Sequence, residues 1–427
     1  MIIHVVQAGD TLSFIAGQYG VTSERIIIEN ELPNPDNLVI GQSLGIRVPE
    51  VVHTVVEGDT LFRVAEQYDV TPNRILQNNP WIAVDEFLTA GEELVITYEG
   101  DTVEDTIVVN GYAYPFIERE VLRRTLPFLT YLSIFTYGFT PEGELVTIDD
   151  EELIALANEF GVGPIMMLAP MNAEQTFDSA IAHAMFINPA GQTNLINNIV
   201  ANMKAKGYVG LDIDFEFVLP EDKQNFLNFI TAVNERLDAE GFITMVALAP
   251  KTSGEMAGLL YEAHDYPTIG AVADKVLLMT YEWGYTYGPP MATAPLNNVR
   301  RVLEYGVSVI DPGKILMGIP NYAYDWPLPF VRGETAAESL GNQQAIERAA
   351  QYGVTIQFDE LAQAPFYYYT NAEGVEHVVW FDDVRSMNAK LSLIPELGLN
   401  GAGVWQIMRF FPGLWLVVAS RFAVTKI

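Results

Sequence analysis

The sequence predicts an α/β protein dominated by a closed (β/α)8 barrel of the TIM type, and two observations lead to this prediction. Eight short apolar runs follow one another after about residue 106, with helical stretches between them. Buried strands that alternate with helices over roughly 320 residues are typical of a parallel barrel. An internal repeat fills the first hundred residues, and each copy reads as strand, helix, helix, strand. We therefore expect two small βααβ modules in front of the barrel.

The two copies of the repeat match at an offset of 49 residues. Residues 4–12 read HVVQAGDTL, and residues 53–61 read HTVVEGDTL. Side chains with an oxygen acceptor precede both helices of each copy, which is the usual pattern at a helix start. In the first copy the candidate caps are Asp10 or Thr11 for the first helix and Thr22 or Ser23 for the second.

This repeat resembles LysM, a small βααβ module that binds N-acetylglucosamine in peptidoglycan and chitin. The resemblance implies a sugar groove between the first strand–helix loop and the second helix–strand loop of each copy. A structural role competes at each position, because Asp and Thr commonly cap helices and Asn commonly ends them. Two weak sites on one chain would gain affinity for a polymer through effective concentration. The implied sugar contacts are Asp10, Thr11, Asn30, Asp59, Thr60 and Asn79.

The domain boundaries lie where the internal repeat ends and where the recurring apolar runs begin. We assign residues 1–48 to the first module, 53–97 to the second module and 106–427 to the barrel, with 97–105 as the linker. The long gap between the predicted seventh and eighth strands, about 321–400, requires an insertion, which we expect to be a small α+β unit.

The predicted elements of the barrel domain follow from these runs. The eight barrel strands are 107–112, 131–135, 164–168, 209–216, 243–248, 275–281, 314–319 and 401–405. Helices are predicted at 150–160, 193–206, 223–240, 298–305 and 386–396. Segments 365–369 and 375–381 are predicted to form an extra sheet in the insertion.

Three acidic residues alternate with apolar ones at the end of the fourth predicted strand. Side chains two apart in a strand share a face, so Asp212, Asp214 and Glu216 would form one row with neighbours roughly 6–7 Å apart. An ordinary half-exposed strand of an acidic chain gives the same pattern. The apolar flanks instead favour a buried parallel strand, where adjacent acids repel each other and lose solvation. This cost points to a catalytic role.

The ends of three predicted strands carry polar and aromatic residues that a barrel would bring together. Glu216 ends the fourth strand, residues 281–283 end the sixth, and Trp405 ends the eighth. Barrel active sites lie at the carboxyl ends of the strands. We therefore expect one site at this face.

The predicted barrel resembles glycoside hydrolase family 18 in the residues at its strand ends. Its fourth-strand signature, DxxDxDxE, is present here in its last three members, while Val209 replaces the first Asp. Its sixth-strand signature, Met-x-Tyr-Asp, is present as residues 279–282 with Glu282 in place of Asp. The Ser-x-Gly-Gly feature of the third strand is replaced by residues 168–170.

The resemblance implies a retaining mechanism in which the 2-acetamido oxygen of the substrate is the nucleophile. Glu216 would protonate the leaving oxygen, with its pKa raised by the crowding of Asp214. Asp214 would orient the acetamido N–H and share a proton with Asp212, while Tyr281 would bind the acetamido carbonyl. Trp405 would stack on the sugar, although packing in the barrel is an equal alternative. Further candidate pocket residues are Glu282, Tyr112 and Tyr322.

Composition excludes several classes of function. The chain has 55 acidic and 23 basic residues and a net charge of −32, which disfavours nucleic acid and anionic membranes as partners. It has no cysteine and five histidines without an HExxH pattern, so we expect no metal and no cofactor. No secretory signal is visible, and the apolar run 414–419 is too short to span a bilayer.

The two resemblances together predict an N-acetylglucosaminidase that acts on peptidoglycan glycan strands. The arrangement resembles the germination enzymes of endospore-forming bacteria that degrade spore cortex peptidoglycan, which implies a location in the spore. Three alternatives stay open: a chitinase, an enzyme with Glu282 as covalent nucleophile, and a non-catalytic lectin or coat protein.

Overall fold

The structure is a computed structural model that describes residues 1–84, 87–100, 105–172, 174 and 176–427. Residues 101–104 of the predicted linker lie outside the described residues. None of the described helices has the length and apolar character needed to cross a membrane.

Both repeats form the predicted βααβ unit. The first comprises β1 (Ile2–Val5), α1 (Leu12–Tyr19), α2 (Ser23–Asn30) and β2 (Ser43–Ile46), and the second comprises β3 (Pro49–Thr54), α3 (Leu61–Gln67), α4 (Pro72–Asn78) and β4 (Glu93–Tyr98). In each unit the two strands pair antiparallel and the helices cover one side. Of the alternative caps in the first unit, Thr11 and Thr22 accept the capping bonds.

The barrel domain has the predicted alternation of strands and helices. Its elements before the insertion are β5 (Asp105–Ala113), α5 (Arg119–Thr125), β6 (Tyr131–Phe139), β7 (Leu145–Val146), α6 (Glu151–Glu159), β8 (Gly163–Leu168), α7 (Ser179–Phe186), α8 (Pro189–Lys206), β9 (Gly210–Ile213), α9 (Lys223–Asp238), β10 (Ile243–Leu248), α10 (Tyr266–Val272), β11 (Lys275–Leu278), α11 (Leu296–Val309) and β12 (Ile315–Pro320). The short β7 pairs antiparallel with β6 outside the barrel.

A five-stranded antiparallel sheet follows β12. The insertion contains β13 (Ala323–Pro327), β14 (Glu338–Leu340), α12 (Asn342–Tyr352), β15 (Gln357–Asp359), β16 (Ala364–Thr370) and β17 (Glu376–Trp380). The strand order is β14-β13-β17-β16-β15, so the two predicted strands of the extra sheet are present as neighbours, β16 and β17. After the insertion come α13 (Val384–Leu391), α14 (Leu393–Leu397), β18 (Gly401–Trp405), α15 (Pro412–Arg421) and β19 (Phe422–Val424).

Eight parallel strands close into the predicted barrel. Neighbouring pairs run β5-β6-β8-β9-β10-β11-β12-β18, and β18 pairs again with β5. The strand residues are buried almost throughout, because helices cover the outside and side chains fill the interior. The fold class predicted from the sequence is confirmed.

The insertion ends earlier in the chain than the predicted limit of about residue 400. Its sheet stops at Trp380, and the next two helices pack their apolar side chains into the barrel core. The predicted helix 386–396 is in fact two helices, α13 and α14. Pro395 has no N–H to donate to the carbonyl of Leu391, and its ring crowds that carbonyl, so one continuous helix is disfavoured.

The modules are docked on the barrel domain by direct polar contacts. In the first module, Glu31 pairs with Arg124 of α5, and its backbone carbonyl accepts from Gln343 of α12. In the second module, Asn73 and Gln77 of α4 both donate to the carbonyl of Pro127 at 2.9 Å. These contacts fix the orientation of both modules relative to the barrel.

Candidate active site

The fourth barrel strand ends earlier than predicted. The β9 ladder stops at Ile213, which pairs with Leu168 on one side and Val246 on the other. Asp214 and Glu216 therefore lie beyond the ladder, at the barrel rim. The sixth strand likewise ends at Leu278, before the predicted limit. Both differences place the polar residues in loops at the carboxyl face.

Asp212 lies at the base of the site and is fully buried. Its Oδ2 accepts from the Tyr112 hydroxyl at 2.8 Å and from Ser133 Oγ at 3.4 Å. Ser133 is held in turn by Asn110, which donates to it at 3.0 Å. Burial raises the pKa of Asp212 to about 6, although the two hydroxyl donors lower it. Tyr112, a predicted pocket residue, thus donates to the carboxylate of Asp212, and its ring is buried.

Asp214 is also buried, next to two other acids. Burial, then the charges of Glu216 and Asp212, raise its pKa well above the usual value. Among the residues that the structure describes, one oxygen of each aspartate, Oδ1, has no hydrogen-bond partner. Buried acceptors of this kind are costly unless a proton or a ligand satisfies them. The arrangement therefore favours a proton held within the aspartate pair.

Glu216 is the acid of the row that remains partly exposed. Burial and the charge of Glu282 raise its pKa to about 7. A carboxyl group with this pKa holds a proton through much of the range below neutrality, so it can act as a general acid and later as a base.

Glu282 forms the opposite side of the site, with a left-handed backbone at φ +65°. Its Oε1 accepts hydrogen bonds from Tyr322 and from Tyr324, the latter at 3.2 Å. Burial raises the pKa of Glu282, and the two phenols lower it. Tyr322, a predicted pocket residue, is buried and contributes by holding Glu282. Tyr324 was not predicted; it lies in β13, 42 residues from Glu282 in the chain.

Two of the predicted residues at the site are aromatic. Tyr281 is 8% exposed, and its pKa is raised by burial and by the charges of Asp214 and Glu216. Trp405 is half-buried and packs edge-on against Tyr112 at 5.8 Å between ring centroids. One part of its ring thus packs in the barrel, and the remainder is accessible from the mouth. The structure brings every barrel residue predicted from the sequence to this one face.

His264 supports the loop that carries Asp214 and Glu216, a role that was not predicted from the sequence. It is fully buried between the segments that follow β9 and β10. Its Nδ1 accepts from the Ala249 N–H at 2.7 Å, so its proton is on Nε2, which donates to the Phe215 carbonyl at 3.0 Å. Burial lowers the pKa of His264 to about 4, which keeps the ring neutral. The ring anchors the peptide between Asp214 and Glu216.

The asparagines predicted to contact sugar in the modules have a structural role instead. Asn30 exchanges hydrogen bonds with the backbone of Gly45, and Asn79 does the same with Val95. Each amide also donates to its own helix, so these side chains tie the second helix to the closing strand. Both are buried.

The loop residues of the modules are more accessible. Asp10 and Asp59 each accept from a backbone N–H and from a histidine, His4 or His53. Thr11 and Thr60 cap α1 and α3 and are exposed. Their position leaves them open to a ligand beside the loop.

The comparisons with known proteins agree with this geometry. The model of glycosyl hydrolases family 18 matches residues 125–409, and the LysM domain model matches residues 4–47 and 53–97. The cortical fragment-lytic enzyme of Bacillus subtilis (strain 168) is 40% identical over 100% of this chain and 99% of its own length. The putative sporulation-specific glycosylase YdhD of the same organism is 34% identical over 98% of each chain.

Solved structures extend the similarity to the whole chain. The spore cortex-lytic enzyme SleL of Bacillus megaterium QM B1551 superposes with a TM-score of 0.84 at 38% identity, over 99% of this chain and 98% of that one. SleL of Bacillus cereus gives 0.85 at 32% identity, over 100% and 98%. The chain belongs to glycosyl hydrolase family 18 and carries two LysM domains at its amino end.

Proposed function

We propose that this chain is a retaining N-acetylglucosaminidase that hydrolyses β-N-acetylglucosaminyl bonds in spore cortex peptidoglycan or its fragments during germination. The observation that carries the proposal is Glu216, a partly exposed acid with a pKa near 7 beside Tyr281 and the aspartate pair. Full-length similarity to enzymes named for the spore cortex supports the substrate and a location in the spore. The LysM domains support attachment to cell-wall glycan.

The chemistry follows from the positions of three groups. Glu216 donates its proton to the glycosidic oxygen as the bond from that oxygen to the anomeric carbon breaks. The carbonyl oxygen of the substrate's acetamido group forms a new bond to the same carbon, giving an oxazolinium ion. Asp214 accepts the acetamido N–H, and Tyr281 donates to its carbonyl oxygen. Glu216 then takes a proton from a water molecule as the water oxygen bonds to the anomeric carbon, and the bond from this carbon to the acetamido oxygen breaks. The oxazolinium ring opens, and configuration is retained overall.

The aspartate pair stabilises the cation that forms in this step. Asp212 is held by Tyr112 and Ser133, so it stays fixed while a proton moves between it and Asp214. An ionised Asp214 close to the acetamido nitrogen stabilises the positive charge in a site that excludes water. Asp214 is 4% exposed, and its carboxylate is the acceptor that we assign to that N–H.

Substitution Glu216→Gln tests the proposal. We expect the release of new reducing ends from cortex fragments to fall by roughly 10²–10⁴-fold, the contribution of a general acid. Sedimentation with intact cortex should persist, because the modules are unaltered. Glu235→Gln, an exposed position on α9, is the matched control. Full hydrolysis by Glu216→Gln would overturn the proposal.

The same assay separates the alternatives. A chitinase would turn over N-acetylglucosamine oligomers faster than muramic-acid-containing fragments. A covalent mechanism through Glu282 would be insensitive to a thiazoline analogue of the oxazolinium ion. A lectin would bind cortex without producing reducing ends in the wild-type chain.

A further inference from the structure

A cleft of about 1030 Å³ separates the second LysM module from the barrel. On the module side it is lined by Thr60 and Leu61 of the first strand–helix loop and by Ile82 and Ala83 after α4. On the barrel side it is lined by Arg123 of α5, Glu159 and Phe160 at the end of α6, and the segment 422–424.

This cleft lies at the end of the barrel remote from the catalytic residues. Residues 422–424 pair with the first residues of β5, and Phe160 lies three residues before the start of β8. Both therefore mark the amino ends of the barrel strands, whereas Glu216 lies at the carboxyl ends. The cleft is consequently separate from the active site.

Acidic and basic residues line the cleft in equal numbers, although the chain as a whole carries −32, and burial lowers the pKa of Lys426 to about 7. Arg123 forms an ion pair with Glu159 at 3.1 Å, and Lys426 donates to the carbonyls of Leu126 and Leu129 at 2.8 Å. Among the described residues, the charged side chains that line it are three acids and three bases, Asp59, Asp69, Glu159, Arg74, Arg123 and Lys426. A neutral ligand matches this lining better than an ion does.

The rest of the lining suits a saccharide. Thr60 and Thr71 accept capping bonds from backbone N–H groups, which leaves the hydroxyl protons free to donate to ligand oxygens. Leu61 and Phe160 offer apolar surface for a sugar face. The volume is at the top of the range of about 300–1,000 Å³ for small-molecule sites, so more than one ring fits.

We propose that the outer surface of the barrel completes the sugar groove of the second module, forming a composite site for a neutral, N-acetylated oligosaccharide. Arg123, Glu159 and Phe160 form the barrel half of this site. The inference rests on the proposed function only in taking a glycan as the ligand. The two bonds from α4 to Pro127 hold the halves in register, so the site exists only in the intact chain.

A bulky side chain in the barrel half tests the proposal. Glu159→Trp places an indole in the cleft at a position whose side chain is 56% exposed, so folding should be unaffected. Glu152→Trp is the matched control, since Glu152 lies on the same helix, is 64% exposed and pairs with Arg119 of α5 in the same way. Both are made in the full chain carrying Glu216→Gln, and calorimetry measures binding of the N-acetylglucosamine tetramer.

We expect Glu159→Trp to remove one tetramer site or weaken it at least tenfold, while Glu152→Trp binds as the parent does. Arg123→Ala should also weaken tetramer binding relative to its control, Arg119→Ala, although by less than Glu159→Trp does. With Glu216 restored, turnover of short soluble fragments should be unchanged in all four, which separates this site from the proposed catalytic function. Equal tetramer affinity and stoichiometry for Glu159→Trp and Glu152→Trp would overturn the proposal.

Discussion

The protonation of Glu216 depends on a residue from another loop, the one that follows β11. Glu282 raises the Glu216 pKa through its charge, and Tyr322 and Tyr324 fix the carboxylate that carries this charge. Family members with the usual Asp at this position would hold the charge on a shorter side chain. The longer acid here therefore sets the pH range of the proposed acid as well as the shape of the pocket.

The pH profile should reveal this dependence. Glu216 must carry its proton to act as the acid, so kcat/KM should fall as pH rises above about 7. In Glu282→Gln one of the two causes that raise the pKa is removed, so this descending limb should move to lower pH. Initial rates on soluble cortex fragments, measured from acid to alkaline pH, provide the test.

Glu235→Gln serves again as the control, because it removes a carboxylate from the exposed surface of α9. The descending limb of the pH profile of Glu235→Gln should coincide with that of the wild type. A limb that stays in place in Glu282→Gln, or moves to higher pH, would contradict the assigned coupling.

At the scale of elements, the barrel strands were predictable because both of their faces are buried. Such strands appear in the sequence as short continuous apolar runs, and all eight were found. Their ends were less predictable, since the ladder of β9 stops at Ile213, opposite the last residue of β8, and not where the apolar pattern changes. Helices α5, α7, α10, α12 and α15 were not predicted.

Asp212, Asp214 and Glu216 were visible because they alternate with apolar residues within five positions of the chain. The supporting residues were not, since their contacts join distant parts of the chain. Ser133 is 79 residues from Asp212, and His264 is 49 residues from Phe215. A single buried histidine after a strand carries no local signal of this role.

His264 links the loop after β10 to the loop that carries the acids. His264→Phe preserves the ring but removes both hydrogen bonds, leaving the Ala249 N–H and the Phe215 carbonyl unpaired. Each unpaired buried group costs about 1–3 kcal/mol of stability. Because Phe215 lies next to Glu216, we also expect kcat to fall about tenfold with little change in KM, by analogy with the cost of small misplacements.

The control for this variant is His183→Phe on α7, whose side chain is 40% exposed and pairs with Asp222. Thermal unfolding and steady-state kinetics should be measured on both. If His264→Phe loses stability but retains wild-type kcat, the histidine supports the fold and does not position the acid.

On the scale of the whole molecule, the modules and the barrel form one assembly with fixed geometry. The first module contacts α12 and α5, and the second contacts the Pro127 turn and lines the cleft at the amino ends of the strands. Tethered sites gain affinity only when their geometry allows simultaneous engagement. A glycan strand held in the cleft must therefore pass along the barrel to reach Glu216, or the enzyme must engage two neighbouring strands.

The docking of the first module can be loosened at a single glycine. Gly41 has φ +87°, and a Cβ there would overlap the carbonyl oxygen of Ile356 in the insertion. The adjacent Ile40 carbonyl accepts from the Ile356 N–H at 2.9 Å. Gly9 in the same module has φ +93° but open space around it. Substituting Ala at either position incurs the left-handed backbone cost of about 1–2 kcal/mol. Any difference between the two variants therefore reports the lost contact of Gly41 with the barrel domain.

We expect Gly41→Ala, but not Gly9→Ala, to speed amide hydrogen exchange at Ile356, because the hydrogen bond to Ile40 cannot form when the two backbones are pushed apart. Turnover of intact cortex should fall several-fold, since the first module no longer holds the polymer in a fixed direction. Turnover of short fragments, which do not span module and barrel, should match that of Gly9→Ala. Equal rates for both variants on intact cortex would show that a tether alone suffices, and that the fixed orientation of this module plays no part in attack on the polymer.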